Sequence, residues 1–356
     1  MTRIRITTFS IVILVLVVGI VPFVSAQDFG EIDSVCLVTD IGRLNDGGFN
    51  QFSNEGMERA AEEFDLETKA IETQAATDYE NNINTCINEG FDAVVTVGFL
   101  ITDATLQAAL DNPDVYFIGV DQFHTGGPEN LAANTYREDQ SGFLAGVLAA
   151  KLTESGVIAG VYGMEVVPPV VRFRNGFEQG AWYINPDLEI LGVYIDDFFA
   201  PDRGASAAEQ FLGEGADVIF AAGGQTGNGA LLTGADAEVW VIGVDTDQYF
   251  SVFDGGESPG AEFIATSAMK GMGEGVYRKI TALIEGDLDA WGPGETELLS
   301  LAENGVSLAP KHDADIPDEI FEEVQEIADM LAAGDLETGL DFDSGLPLED
   351  MEEESD

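Results

Sequence analysis

Short apolar runs alternate with longer amphipathic stretches along this chain, and this alternation restricts the fold more than any other feature. The strand-like runs lie at 34–40, 67–73, 91–98, 115–121, 156–163, 189–195, 216–223 and 239–245. Consecutive parallel strands need a crossover, usually a helix, so the pattern predicts an α/β fold with mostly parallel sheets and helices on both faces. The pattern stops near the middle and restarts, which predicts two similar lobes. The turn-rich segments 122–138 and 224–238 are interpreted as loops.

The N-terminus has the pattern of a secretory signal. Arg3 and Arg5 precede an apolar stretch at 11–24, and a run of small residues ends at Ala26. We predict a signal peptide over 1–26 that is cleaved after Ala26; the alternative is an uncleaved N-terminal anchor. No cysteine lies near the cleavage point, so lipid attachment to a cysteine is not expected there.

The charge of the chain is extreme, with 66 acidic against 14 basic residues and a net charge of −52. The acids are spread along the whole chain, and their repulsion strains a compact state unless molar salt shortens the screening length to about 3 Å. We therefore predict adaptation to a hypersaline medium; an acidic surface for a cationic partner is the alternative. Nucleic-acid binding is excluded because it requires a basic surface.

Few side chains are available for catalysis or for metal binding. His124 and His312 are the only histidines, and no serine or cysteine nucleophile has an obvious base. Cys36 and Cys86 could form a disulfide in an exported protein, but their places in an apolar strand and a helical pattern fit two buried thiols as well. Without a Cys-x-x-Cys motif or a Cys/His cluster, no zinc site is expected. No catalytic residue, metal site or cofactor is therefore predicted.

Three aspartates end predicted strands, namely Asp40, Asp121 and Asp245. Ligands of open α/β sheets bind beyond the carboxyl ends of the strands, although a single aspartate there is equally explained as a helix N-cap. The segment DIGRLNDGGFNQ after the first strand combines polar side chains and glycines with one aromatic, Phe49, which indicates a site for a small polar and planar molecule. Lys270 lies where the chain would return from the second lobe to the first, and we expect it to line the cleft.

Longer motifs resemble a known family. These are LVTDIGRLNDGGFNQFSNEGMERA, VGFLITDATLQAALDNPDVYFIGVDQ, SGFLAGVLAAKL, GADVIFAAGGQTGNGAL, VIGVDTDQ and TSAMKGM. Their order is similar to that of the basic membrane protein (BMP) family, the extracytoplasmic substrate-binding proteins of ATP-binding-cassette (ABC) importers, which include purine-nucleoside receptors. The resemblance covers roughly residues 33 to 300. It implies the type I periplasmic-binding-protein fold, in which two Rossmann-like lobes with parallel sheets are joined by a three-strand hinge and close on the ligand.

The domain organisation expected from this resemblance has two discontinuous lobes. The segments are a signal peptide at 1–26, an N-terminal lobe at 27–136 plus about 268–297, a C-terminal lobe at 137–267 plus about 298–340, and an acidic tail at 341–356. We expect the tail to be solvated and disordered because of its charge.

The resemblance also implies a set of ligand-binding positions. They are Asp40, Asn45, Phe49, Asn50, Asp121, Phe198, Gly224, Asp245 and Lys270. Phe49 and Phe198 would stack on a purine ring from opposite lobes, Asn50 and Asp121 would bind the base edge, and Asp245 would bind the ribose hydroxyls. The expected function is to bind a nucleoside between the lobes and deliver it to the importer permease at the outer face of the plasma membrane.

This sequence departs from the family pattern at two places. Asp196 and Asp197 replace a pair of small residues before the second aromatic. Phe199 directly follows Phe198, so the second stacking residue is uncertain by one position. The lipid-anchoring cysteine of many bacterial members is missing, which leaves the importer or an N-terminal anchor as the tie to the membrane. The alternative functions are an extracellular ligand sensor of the same fold, a receptor for another solute such as a sugar, and a nucleoside-cleaving hydrolase.

Overall fold

The computed structural model describes residues 32–348, so the predicted signal peptide at 1–26 lies outside the described residues. The strands are β1 Ser34–Ile41, β2 Glu67–Thr73, β3 Ala93–Val97, β4 Tyr116–Val120, β5 Leu131–Tyr136, β6 Val157–Tyr162, β7 Glu189–Tyr194, β8 Val218–Ala222, β9 Trp240–Asp245, β10 Ile264–Lys270, β11 Thr296–Leu299 and β12 Val306–Leu308. The α-helices are α1 Phe49–Phe64, α2 Tyr79–Glu89, α3 Thr102–Asp111, α4 Glu138–Leu152, α5 Pro168–Ile184, α6 Pro201–Gly213, α7 Gly224–Asp236, α8 Gln248–Ser251, α9 Met272–Glu285, α10 Leu288–Trp291 and α11 Asp318–Ala333.

The strands form two six-stranded sheets with the same strand order. The order is β11-β5-β4-β3-β1-β2 in the first sheet and β12-β10-β9-β8-β6-β7 in the second. All pairings are parallel except that of β12 with β10. Every residue of β3 and β8 is buried, as expected for parallel strands with helices on both faces. The predicted α/β class with two similar parallel-sheet lobes is confirmed.

Three crossings of the chain connect the two lobes. The first lies between β5 and α4, the second between β10 and α9, and the third between β11 and β12. Helix α9 packs on α1 of the first lobe, where a Cβ on Gly56 would lie 2.2 Å from the carbonyl oxygen of Gly273. The second crossing thus lies after Lys270, slightly later than the boundary near 268 expected from sequence.

Two segments that the sequence indicated as loops are regular elements. Residues 131–136 within the first segment form β5, and Gly224–Asp236 forms α7. Glycine lowers the intrinsic helix propensity of α7, but the same glycines let it approach its neighbours closely. A Cβ on Gly229 would lie 2.1 Å from the carbonyl oxygen of Pro201. Tertiary packing therefore outweighs local propensity in this segment.

Cys36 of β1 and Cys86 of α2 form a disulfide with a Cα–Cα distance of 5.8 Å. This result decides between the two alternatives that the sequence left open, and it ties α2 to the first strand.

The described part of the acidic C-terminal segment, residues 341–348, packs on α5. The Asn175 side-chain amide donates to the carbonyl oxygen of Gly345 at 2.6 Å, and Arg172 Nη1 donates to that of Phe342 at 3.4 Å. These residues therefore have a fixed place on the second lobe. Among the described residues, no helix is both long and apolar enough to cross a bilayer.

Candidate functional site

A cavity lies between the two lobes, at the carboxyl ends of both sheets. The first lobe contributes Asp40, Ile41, Asp46, Phe49, Asn50, Phe99 and Asp121. The second contributes Val167, Pro169, Val170, Phe173, Phe198, Phe199, Ala222, Gly223, Gly224, Gln225, Val244, Asp245 and Lys270. In each sheet the strand order reverses beside the first strand of the lobe, β1 or β6, and the crevice formed at such a switch point is where α/β sheets bind ligands.

The structure brings eight of the nine predicted positions together around this cavity and leaves Asn45 apart. Asn45 is exposed on the turn between β1 and α1, whereas its neighbour Asp46 is buried and lines the cavity. Asp46, Phe99 and Phe173 also line the cavity and are not among the positions predicted from the sequence. Phe99 follows β3 and could have been found by the strand-end rule, but Phe173 lies within α5 and had no such signal.

Asp46 fixes the first turn of α1 and, with it, the amide of Asn50. Its Oδ1 accepts the backbone N–H of Gly48 at 2.8 Å, and its Oδ2 accepts the backbone N–H of Asn50 at 2.9 Å and the side-chain amide at 3.1 Å. Asn50 Oδ1 in turn accepts the backbone N–H of Asp40 at 3.0 Å. The Asn50 amide is therefore held in one orientation, with one N–H and one lone pair left for a ligand.

Asp40 is the buried carboxylate of the first strand end. The Tyr79 hydroxyl from α2 and the backbone N–H of Ile41 both donate to its Oδ1. Burial raises the pKa of Asp40 to about 6, although these hydrogen bonds act in the opposite direction. Gly98 has a φ of +104°, and a Cβ there would lie 2.1 Å from Asp40 Oδ2, so the carboxylate occupies space that only glycine leaves free.

Lys270 is the cation of the cavity and stands among three carboxylates. Its Nζ lies 2.6 Å from Asp121 Oδ2, 3.4 Å from Glu138 Oε1 and 3.7 Å from Asp245 Oδ1, and its side chain is only 2% exposed. Burial disfavours the charged lysine, but the three carboxylates outweigh this effect, so the pKa of Lys270 lies above its usual value. The Lys270–Asp121 pair joins the two lobes.

Asp121 and Asp245 occupy matched places in the two sheets, after β4 and at the end of β9. Both have left-handed backbones, with φ values of 58° and 66°, and non-glycine residues in this region cluster at functional sites. Burial raises the pKa of both carboxyls, that of Asp121 to about 7 even though Lys270 lowers it. Asp121 Oδ1 is buried without a hydrogen-bond partner in the described structure, so a lone acceptor remains at the cavity wall.

Aromatic rings form the side walls. Phe49 belongs to the first lobe and its ring centroid lies 4.9 Å from Lys270 Nζ, within reach of a cation–π interaction. Phe198 belongs to the second lobe and contacts Gly163, where a Cβ would lie 2.2 Å from the Phe198 ring. Phe199 also lines the cavity and reaches the first lobe on the other side. A Cβ on Gly42, which follows β1 of that lobe, would lie 2.5 Å from Phe199 Cζ. The two adjacent rings thus have different surroundings.

The lobes touch at the mouth of the cavity. The Ser251 hydroxyl donates to the carbonyl oxygen of Gly47 at 2.7 Å. The side-chain amide of Asn228 donates to the backbone carbonyl oxygen of Asp46 at 3.4 Å. We call these two hydrogen bonds the mouth contacts. They join the second lobe to the turn that carries Phe49, so the arrangement of the lobes is a closed one.

The side chains around the cavity include aromatic rings and carboxylates. Neither His124 nor His312 lines it, and no cluster of metal-ligating side chains occurs among residues 32–348. His124 bonds to Gln122, and His312 bonds to Asp247. Flat apolar walls and fixed carboxylates can hold a planar molecule that carries several hydrogen-bond donors.

Comparison with known proteins agrees with this geometry. The Bmp family model, described as ABC transporter substrate-binding protein PnrA-like, matches residues 34–331. The ABC transporter nucleoside-binding protein BmpA of Lactococcus lactis subsp. cremoris is 31% identical over 250 residues, which are 67% of this chain and 71% of the relative. Basic membrane protein A of Borreliella burgdorferi is 32% identical over 249 residues, which are 68% of this chain and 72% of the relative.

A solved structure supports the fold. The ABC transporter solute-binding protein of Aeropyrum pernix K1 has a TM-score of 0.76 at 24% identity, over 90% of this chain and 96% of that one. The type I periplasmic-binding-protein fold predicted from the sequence is confirmed. Because the family model spans most of the chain, this protein belongs to the Bmp family of ABC transporter substrate-binding proteins, whose members bind substrates for transport and are not enzymes.

Proposed function

We propose that this protein binds a purine nucleoside in the cavity between its lobes and delivers it to the permease of an ABC importer. The observation that carries the proposal is the pair of rings, Phe49 and Phe198, which reach the same cavity from opposite lobes. Stacking of a base on an aromatic side chain contributes about 1–3 kcal/mol in single-strand nucleic-acid complexes. Two rings on two lobes would tie base binding to lobe closure.

Polar groups at the cavity wall fit the two halves of a nucleoside. Asp121 Oδ1, which has no partner in the described structure, can accept a ring N–H, and the remaining N–H of Asn50 can donate to a ring acceptor. Asp245 can accept vicinal hydroxyls, and hydrogen bonds to an ionised carboxylate are the stronger kind. This division of roles is a prediction for each residue.

The charge of the cavity favours a neutral ligand over a phosphorylated one. Four carboxylates line it, from Asp40, Asp46, Asp121 and Asp245, against the single ammonium of Lys270. A phosphate would add at least one further negative charge to a poorly solvated site, where like charges repel strongly. We therefore expect nucleosides to bind and nucleotides to be rejected.

The family supports a proposal for the location and the partners. A substrate-binding protein of an ABC transporter hands its ligand to a permease, so we propose that the protein acts outside the cytoplasm at the outer face of the plasma membrane. The predicted signal peptide at 1–26 supports export. The named ligand of the Lactococcus relative supports a nucleoside for this chain.

Isothermal titration in molar salt tests the ligand. Inosine, guanosine and adenosine should release or absorb heat with a saturable 1:1 isotherm, whereas free ribose, other sugars and inosine monophosphate should not. The variant Phe198→Ala is the matched control and should weaken nucleoside binding without preventing folding. Saturable binding of a sugar with no response to any nucleoside would overturn the proposal.

A second experiment separates import from sensing. The protein is added with its ligand to vesicles that contain the permease and ATPase subunits of the importer. Ligand-dependent stimulation of ATP hydrolysis is expected. Tight nucleoside binding without any stimulation would favour the sensor alternative.

A further inference from the structure

Glu138 is a fully buried carboxylate that does not line the cavity. It is the first residue of α4, directly after the chain leaves the first sheet. Its Oε2 accepts a hydrogen bond from Arg172 Nε at 2.7 Å, and its Oε1 lies 3.4 Å from Lys270 Nζ. Burying an ionised carboxylate is costly even when it is paired, so the position calls for a role beyond packing.

The contacts of the Lys270 ammonium indicate that role. An ammonium is a compact charge with three donors on a flexible stem, so its position depends on its neighbours. The ammonium lies 2.6 Å from Asp121 and 3.7 Å from Asp245, and Glu138 attracts it from 3.4 Å. If Glu138 were neutral, less attraction would oppose a swing of the ammonium onto Asp245.

We propose that Glu138 is a positioning residue of the ligand site, which holds the Lys270 ammonium on Asp121 and thereby keeps Asp245 open to the ligand. The identity of the ligand rests on the proposed function above. The position of the ammonium does not, because it can be observed in the protein alone.

Arg172 and the C-terminal segment hold Glu138 in turn. The guanidinium carbon of Arg172 lies 4.6 Å from the ring centroid of Phe342. Arg172 Nη1 also donates to the backbone carbonyl oxygen of Phe342 at 3.4 Å. A Cβ on Gly345 would lie 3.1 Å from Arg172 Cγ, so the chain passes directly over this side chain. The network therefore runs from the C-terminal segment through Arg172 and Glu138 to the ammonium in the cavity.

The variant Glu138→Gln tests the proposal because it keeps the shape of the side chain and removes its charge. Its crystal structure should show Lys270 Nζ closer to Asp245 than 3.7 Å. Its affinity for inosine should fall at least about tenfold, as expected when a charged hydrogen bond in a binding site is lost. The matched control is Asp139→Asn, which neutralises the next residue. Asp139 is also buried, but it bonds to Arg137 and Thr338 and should leave the ammonium in place.

A double-mutant cycle separates positioning from a general structural role. In a Lys270→Met background, Glu138→Gln should change the affinity by less than about threefold, because the group it positions is gone. An equal loss in both backgrounds, or an ammonium that stays on Asp121 in Glu138→Gln, would overturn the proposal. If Glu138→Gln does not fold, Glu138→Asp replaces it, because aspartate keeps the charge on a shorter side chain. The position of Lys270 Nζ and the affinity for inosine are then measured in Glu138→Asp. If the wild-type protein binds no nucleoside, the proposed function fails, while the ammonium position still decides the role of Glu138.

Discussion

Replacing Gly163 by alanine should push the Phe198 ring into the cavity and weaken ligand binding. Gly163 follows β6 and has no positive φ, so its backbone accepts alanine. The added methyl carbon would lie 2.2 Å from Phe198 Cε1 and 2.7 Å from Cδ1. Carbon atoms in contact are about 3.5 Å apart, so the ring has to move by roughly 1.3 Å. Phe198 lines the cavity and Gly163 does not, so we expect the ring to move towards the ligand.

The size of the effect follows from what this shift removes. A displacement of the Phe198 ring by roughly 1.3 Å should disturb the stacking of a base on this ring. The expected loss is the stacking contribution of one ring, about 1–3 kcal/mol, which corresponds to roughly 5- to 150-fold in the dissociation constant. The folded state should lose about 1–3 kcal/mol from overpacking, which leaves the protein folded at room temperature.

Titration with inosine in molar salt measures this loss for Gly163→Ala in two backgrounds. In Phe198→Ala the methyl group meets no ring, so the same substitution should change the affinity by less than about twofold. Gly192→Ala on the neighbouring strand β7 is the matched control, since its Cβ would lie 3.4 Å from the end of the Arg174 side chain, an ordinary contact. Unchanged affinity in Gly163→Ala, or an equal loss in the Phe198→Ala background, would refute the reasoning.

Three further predictions concern closure, protonation and the disulfide. Ser251→Ala removes the hydrogen bond to the carbonyl oxygen of Gly47, which contributes about 1 kcal/mol net. Stopped-flow measurements should therefore show ligand dissociation about fivefold faster and an unchanged association rate. Slower association instead would contradict a role of this contact in closure. Because the pKa of Asp121 is about 7, inosine affinity should fall as the pH drops from 8 to 5, and Asp121→Asn should flatten the part of this profile near pH 7, while Asp40, with a pKa of about 6, still titrates. The free energy of unfolding should change with pH in the opposite direction. Because the pKa of Asp121 is raised from 3.8 to about 7 in the folded state, this carboxyl stabilises the folded state at low pH, and the stabilisation is lost as the pH rises through about 7. Reduction of Cys36–Cys86, which closes a loop with a sequence separation of 50, should destabilise the first lobe by up to about 4 kcal/mol, and calorimetry with reductant that shows no earlier transition would exclude this contribution.

The sheets could be predicted from the sequence because their central strands are buried on both faces. Strands such as β3 and β8 then appear as continuous apolar runs, which few other structures require. Strand β5 escaped detection because two of its buried residues, Asn134 and Thr135, are polar like those of a loop. Helix α7 escaped because its glycines are chosen for close packing on α6, and no single-sequence propensity records that contact.

The site could be predicted only where it coincides with strand ends or with the family motifs. Asp121 and Asp245 follow from the rule that ligands bind beyond the carboxyl ends of parallel strands. Phe173 and Glu138 lie on helices, and their places beside the cavity depend on how α4 and α5 cross. That crossing is set by glycines of both helices; a Cβ on Gly146 would lie 1.9 Å from the carbonyl oxygen of Phe177. Such contacts between distant segments leave no local pattern in the sequence.

The two kinds of contact in the site differ in their position relative to the hinge, and this difference predicts an order of binding. Lys270 is the last residue before the second crossing, so its pair with Asp121 lies close to the hinge and moves little when the lobes rotate. The mouth contact of Ser251 joins the lobes at Gly47, and we expect it to move more than the Lys270–Asp121 pair when the lobes rotate. We therefore expect the polar groups near the hinge to be in place before closure, and the slot between Phe49 and a ring of the other lobe to be completed by closure. A nucleoside should first bind through its polar groups and then be enclosed, which is why loss of a mouth contact should act on dissociation and not on association.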